Sequence, residues 1–304
     1  SGAADYALKT AMVMQQLLLQ KPGGTVAAAA HKVCIERRIA SWDSGDVQVL
    51  LQESVTIQDQ IVKARRRNAR HEGHTVDPAR RFASDIERGR LSAATRQLSP
   101  DMGGGVLDLD DTIGETTVLD VLRSKHPQGE AVTAAALLPG QPPAQPHPVL
   151  FTKLDRTAVR QAALHTTGSA GPSGMDADGW RRMCTAFGDI SDDLCDALAS
   201  CARRIATQYV NPASMEAYTA CRLIPLDKKP GVRPIGIGET VRRIIGKAIL
   251  SVAGDSVREA TGSLQMCGGQ ECGIEAAIHA MHDTFHEEDV DAVLMADASN
   301  AFNR

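Results

Sequence analysis

Aromatic residues are scarce in this chain: 3% of 304 residues, with two Trp, three Tyr and five Phe. A core must therefore be assembled from Ala, Leu, Ile and Val, which favours helices over a β-sandwich or barrel. No apolar run reaches 18 residues, so no membrane-spanning helix is expected and the membrane is left out as a partner. The first residues lack a charged segment leading to a cleavage site, so no secretory leader is read. Neither sign of charge dominates. The 33 Lys and Arg against 37 Asp and Glu leave −4, which excludes a uniformly basic nucleic-acid binder but not a local basic surface. Seven cysteines, none in a Cys-x-x-Cys pair, read as reduced thiols of an intracellular protein. Nucleus and cytoplasm are not distinguished, because Lys63-Ala-Arg-Arg-Arg67 reads at least as well as a solvated helix face as it does as a nuclear signal.

What is present is ordinary for a globular chain, 43% hydrophobic and 23% charged, which excludes global disorder. Beginning at Ser1 and stopping at Arg304, the chain reads as a piece of a longer polypeptide. Residues 1–137 are expected to be helical throughout, with a first apolar helix over 1–20 broken at Lys21-Pro22-Gly23-Gly24. Further helices are expected over 25–70, 79–98 and 115–125. The segment 138–148, with four prolines after Leu138 and a fifth closing it, should run extended and forms the main boundary.

Residues 149–304 carry sharper signals. Gly168 to Gly174 is a loop. Ser191-Asp192-Asp193 reads as a helix start, followed by Leu194, Ala197, Leu198, Cys201 and Ile205 at helical spacing. Arg222 to Lys228 and Val232 to Ile237 flank Lys229-Pro230-Gly231, which predicts a β-hairpin. Pro225 and Pro234 make it an edge or projecting hairpin. Val241, Ile244, Ile245, Ala248, Ile249 and Val252 mark one amphipathic helix; Ile274, Ala277, Ile278, Met281 and Phe285 mark another. Ala292 to Ala296 reads as a short buried strand with Asp297 at its end.

Chemistry is concentrated in a few places. Lys228, Lys229 and Arg233 surround one tight turn, Arg222 begins its first strand, and Arg242, Arg243 and Lys247 lie opposite the apolar face of the next helix. Cations on a stiff hairpin can reach phosphate oxygens, Arg bidentately and Lys as a point charge; the plain alternative is a solvated turn and helix face. Asp297 sits where α/β folds place catalytic groups, and a carboxylate there suits Mg²⁺. The Cys and His set lacks zinc-module spacing, and Leu107-Asp-Leu-Asp-Asp111 reads as a solvated loop. The glycine loop at 168–174 matches neither a P-loop nor Gly-x-Gly-x-x-Gly.

Taken in order, four segments over 168–304 resemble reverse transcriptases of the non-LTR retrotransposon type. Gly171-Pro-Ser-Gly-Met-Asp176 is similar to the family's first block, usually Gly-Pro-Asp-Gly. Arg222 through Lys247 resembles the fingers hairpin and its following helix, Gln265 through Gly273 a Gln-x-Gly segment, and Val293 through Asn303 the motif A strand. The resemblance implies an RNA-directed DNA polymerase, a nucleotidyltransferase using Mg²⁺ (or Mn²⁺), an RNA template, a DNA primer and dNTPs. The expected fold is mainly α with a small β component: a helical extension, then fingers and the first palm strand of a right-hand polymerase, its palm incomplete.

The resemblance also implies roles. Asp297 would be the catalytic metal ligand, with the Ala298 carbonyl a second contact. Phe302 would be the steric gate under the sugar. Lys228 or Lys229, with Arg233, would grip the triphosphate, and Gln265 would lie near nucleotide or template. Arg222, Arg242, Arg243 and Lys247 would hold nucleic acid. Two departures stand out: Asn303 replaces the usual Asp, and no Tyr/Phe-x-Asp-Asp segment follows Asp297. Two-metal phosphoryl transfer needs more carboxylates than one, so no polymerisation is expected from this chain alone. The alternative is a non-catalytic RNA-binding module from a truncated or repurposed retroelement. Oligomeric state is not legible.

Overall fold

The structure, a computed structural model, describes residues 2–20, 22, 26–71, 78–89, 91, 94–95, 98, 105–126, 147–228, 231–262, 265–266, 270–287 and 289–296. It is mainly helical, with two small antiparallel sheets. None of its described helices is long and apolar enough to cross a membrane.

Three helices open the chain: α1 (Gly2–Leu19), α2 (Ala28–Asp43) and α3 (Val47–His71). The stretch 25–70, expected as one helical region, is divided at Ser44-Gly45-Asp46, where Gly45 takes φ +81°. Leu17, Leu18 and Leu50 form a small core with Val13, Leu19 and Trp42 against it. A buried ion pair joins the three helices. Arg38, 1% exposed, sends Nη1 to the carbonyls of Leu18 (3.2 Å) and Gln20 (2.8 Å), which lie at the C-terminal end of α1. Its Nε donates to Glu53 Oε1 (2.9 Å) on α3, and Arg37 Nη2 donates to both Glu53 oxygens (2.7 Å each). A guanidinium suits this place because helix-end carbonyls lack intrahelical donors and carry partial negative charge.

The main core lies further along the chain. It is built by α6 (Arg156–Leu164), α7 (Ala177–Thr185), α8 (Asp189–Thr207) and α10 (Thr240–Thr261). Val159, Ala163, Cys184, Cys195, Ala199, Ile244, Ile245 and Ala248 are fully buried there, around Trp180 and Phe151. Small residues let the helices approach closely, as the shortage of aromatics requires. Asp155 and Asp176 cap α6 and α7 by accepting from the amides of Ala158 (2.9 Å) and Gly179 (2.8 Å). Ser191 does not cap α8, which begins two residues earlier after Gly188. Its hydroxyl is buried instead, donating to Met183 O (2.6 Å) and accepting from Phe187 N (3.0 Å).

The first half is not helical throughout. After α4 (Pro78–Glu87), strands β1 (Thr112–Ile113) and β2 (Thr116–Thr117) form a minimal hairpin turning at Gly114 (φ +63°), followed by α5 (Val118–Lys125). This element serves the larger hairpin, β3 (Cys221–Asp227) and β4 (Val232–Gly238). Leu107 N donates to Pro225 O (3.0 Å) and Asp227 N to Gly105 O (2.8 Å), so 105–107 bridges onto the β3 edge through Val106 and Leu226. Val118 and Leu122 bury Val232, with Leu107, Leu109 and Ile113 around them, and Lys125 Nζ donates to Val232 O. Residues 107–111 are thus half-buried on the hairpin at their leucines. Their aspartates bond the loop itself, Asp111 Oδ2 accepting from Asp108 N (3.0 Å).

Elements on both sides of the proline-rich segment share cores. Met12 of α1 belongs to the main cluster, and Arg204 of α8 donates to Asp5 (2.6 Å). Of the segment itself, only His147 and Pro148 lie among the described residues, the latter opening a 3-10 turn, Pro148–Lys153.

The expected strand at 292–296 does not form. Residues 291–296 have no strand pairing and are exposed, Leu294 to 94%. An apolar run needs a neighbouring strand to satisfy its amides, and none lies beside it among the described residues.

The Arg38 arrangement yields a test. Burial pushes the Glu53 carboxyl up, and hydrogen bonds from Arg37 and Arg38 outweigh that, leaving it below its ordinary value of 4.5. Its stabilising contribution is therefore present above that value and lost as pH falls through the lowered one. Arg38→Ala should cost about 2 kcal/mol at pH 7, because it leaves the Leu18 and Gln20 carbonyls without their donor and removes one of the two guanidinium partners of Glu53, which keeps Arg37. Denaturant midpoints from pH 7 to pH 3 should also fall less steeply in the variant than in the parent.

Candidate nucleic-acid interface

The segment between α6 and α7 is held from three directions. Gly171 to Asp176 lies on the junction where β4 gives way to α10, 66 residues further along the chain. At that junction Glu239 is only 3% exposed. It does not cap α10; its carboxylate turns back onto the loop. Ser173 N donates to Oε1 (2.6 Å) and Ser173 Oγ to Oε2 (2.7 Å). Ser173 Oγ also accepts from Met175 N (3.2 Å), and Thr240 Oγ1 donates to Met175 O (2.8 Å). Ser173 and Thr240 are both fully buried.

Close approach makes Gly171 obligatory. A Cβ there would lie 2.8 Å from Cα and N of Glu239 and from C of Gly238, all backbone atoms. Gly168 has a different need: it takes φ +101°, which glycine tolerates without a Cβ clash.

The cations expected to hold nucleic acid converge on this loop. Arg243 sends Nη1 to Thr167 O (2.5 Å) and Nη2 to Ser169 O (2.6 Å). Lys247 Nζ donates to His165 O (2.6 Å), Arg222 Nη2 to Ala170 O (3.1 Å) and Arg181 Nη2 to Thr166 O (3.1 Å). Five carbonyls between 165 and 170 are therefore bonded by side-chain cations. Arg242, exposed, donates to Thr219 O (3.2 Å), at the end of the short helix α9 (Glu216–Thr219). Each guanidinium has five N–H groups, so these residues still place positive charge at the surface. Several of their donors are nonetheless committed to ordering the chain.

The hairpin gives the remaining cations a stiff mount. Its register pairs Arg222 with Ile237, Ile224 with Ile235, and Leu226 with Arg233, and these six share one face. Arg222 and Arg233 thus stand at opposite ends of an apolar stripe. The other face holds Val232, buried under α5. Arg233 and Lys228 are exposed, and Lys228 N closes the turn onto Gly231 O (3.0 Å). Gln265 is exposed in the turn beyond α10. Lys229, Asp297, Ala298 and Phe302 lie outside the described residues.

Among the described residues no group of three or more His, Cys, Asp or Glu is arranged to hold a metal ion. A single carboxylate such as Asp297 would not by itself hold two metal ions. Two of the thiols are inert. Cys184 and Cys195 are fully buried, and burial pushes the Cys184 thiol up to about 12.

Sequence reasoning missed Glu239 and Ser173 as partners. A signal existed: Glu239 is the lone acid between Asp227 and Asp255, set at a strand-to-helix junction among basic residues.

The junction predicts two substitution effects. Gly171→Ala must displace backbone and should cost about 1–3 kcal/mol. Ser173→Asp, which installs the residue usual in the resembled block, would set a second carboxylate against buried Glu239. Two carboxylates at that distance cannot both ionise. The variant should lose at least about 2 kcal/mol at pH 7, and the deficit should shrink toward pH 4, where one proton relieves the pair. Denaturant melts at both pH values measure this; a pH-independent deficit would contradict the contact.

Compared with protein-family models, curated proteins and solved structures, this chain matches none.

Proposed function

We propose that the chain is the front part of an RNA-directed DNA polymerase of the non-LTR retrotransposon type. In this reading a helical extension precedes fingers that hold an RNA template and DNA primer and admit a dNTP, and Asp297 opens the palm. The observation that supports it most is the contact between the Gly171–Asp176 loop and the Gly238–Arg243 junction. These belong to two of the four resembled segments, and Glu239 and Thr240 pack them into one unit through Ser173 and Met175. Two short chance resemblances would have no reason to meet.

The exposed cations fit the same reading. Arg233 and Lys228 stand on a braced hairpin, where phosphates of a template or a triphosphate are met by fixed charge at little ordering cost. Arg222, Arg243 and Lys247 act mainly by shaping the loop beside it. In the full site, Mg²⁺ would supply charge stabilisation at the transferred phosphoryl group. Phe302 would exclude a 2′-hydroxyl, and Gln265 would lie along the nucleotide or template.

Two measurements check this. Binding of an RNA–DNA hybrid should weaken with salt, and Lys228→Ala with Arg233→Ala should lower the slope of log K against log[salt] by about 0.7–0.9 per lost phosphate contact. An unchanged slope would remove the hairpin from the interface. In primer extension with Mg²⁺, these 304 residues should give no template-directed product; synthesis would refute the need for further carboxylates.

A further inference from the structure

Helix α11 (Gly273–Phe285) projects two chemically distinct faces. At 3.6 residues per turn, Ile274, Ala277, Ile278, Met281 and Phe285 fall in one arc of about 100°. Glu275, His279, His282, Asp283 and His286 fall in another, centred on the far side of the helix. On this second face His282 and His286 are one turn apart, with ring centroids separated by 4.4 Å and planes tilted by 35°.

Each ring turns one nitrogen toward an acceptor. His286 Nδ1 lies 2.7 Å from the carbonyl oxygen of His282, and His282 Nδ1 lies 3.4 Å from Asp283 Oδ1. A carbonyl and a carboxylate can only accept, so in the neutral ring each Nδ1 carries the proton and each Nε2 the lone pair. That is the arrangement of a metal-ligating imidazole: one nitrogen anchored to a carbonyl or carboxylate, the other directed at the ion. The His282 side chain is 68% exposed and open to an ion from solvent.

We propose that His282 and His286 form a two-histidine site for a late first-row transition-metal dication of the zinc class. The ion is bound through both Nε2 atoms, with water completing its shell. Imidazole favours Zn²⁺, Ni²⁺ and Cu²⁺ over Mg²⁺, so this site is chemically separate from any carboxylate centre around Asp297. It also lies away from the apolar arc of α11, so a partner covering that arc leaves it open. The bound ion bridges two turns near the C-terminal end of the helix and holds them.

The test is calorimetric titration of Zn²⁺ into the full 304-residue chain with accessible thiols alkylated, which removes Cys221 and Cys272 as competitors. One saturable site is expected. His282→Ala and His286→Ala, each exposed and harmless to the core, should weaken it at least about tenfold, while His279→Ala changes it less than about twofold. Absence of saturable binding overturns the proposal. So does an affinity that neither His282→Ala nor His286→Ala alters, since the ion would then sit elsewhere.

Discussion

The mutual placement of loop, hairpin and main core depends on one buried carboxylate. Glu239 is almost wholly removed from water, and a lone ionised carboxylate in that position would be costly. Ser173 meets it with an amide and a hydroxyl, both at charge-assisted distances. That exchange fixes the Gly171–Asp176 loop, which fixes the start of α7 through Asp176. It also fixes the start of α10, whose apolar residues Val241, Ile244, Ile245 and Ala248 enter the main core. The hairpin leaves from the same junction. Loop, hairpin and core are therefore oriented by a contact between residues 66 apart in sequence.

Local periodicity was enough to find most elements. The helices over 240–261 and 273–285 and the hairpin at 221–238 follow from apolar spacing, turn residues and paired prolines. What spacing could not show was which segments meet. Leu107 and Leu109 looked like part of a solvated acidic loop, because two leucines among aspartates give no period. Only the free β3 edge, which demands donors and acceptors, explains why 105–107 pairs there. Ala292 to Ala296 erred the other way: its composition suits a strand, but a strand exists only with a partner. Of the candidate site, the hairpin mount of Lys228 and Arg233 was legible. The fate of Arg222, Arg243 and Lys247 was not, because a carbonyl acceptor leaves no trace in sequence.

Those three residues also bear on how basic clusters are read. Counted from sequence, they add positive charge beside the hairpin. In the structure they bond carbonyls of a segment that makes no regular ladder between 165 and 170. No strand neighbour among the described residues meets the carbonyls of that segment, so they are met by side-chain donors from outside it. Replacing these cations would disturb loop geometry together with surface charge. A loss of nucleic-acid binding in such variants would not distinguish the two causes. Lys228 and Arg233, exposed on a hairpin braced from its other face, separate them cleanly.

Helix α11 shows the limit of reading amphipathicity as burial. Its apolar arc has the spacing of a core helix, yet Ile274 is 63% and Ile278 55% exposed. Amphipathic spacing encodes an affinity for a surface, and the strength of that affinity grows with the apolar area removed from water. The helix is present with Gly273 as its one buried residue, and a helix of this length is marginal in water on local interactions alone. On the polar arc the same one-turn geometry that aligns apolar residues aligns His282 with His286. Both faces are thus prepared by helical periodicity alone, one for apolar contact and the other for coordination.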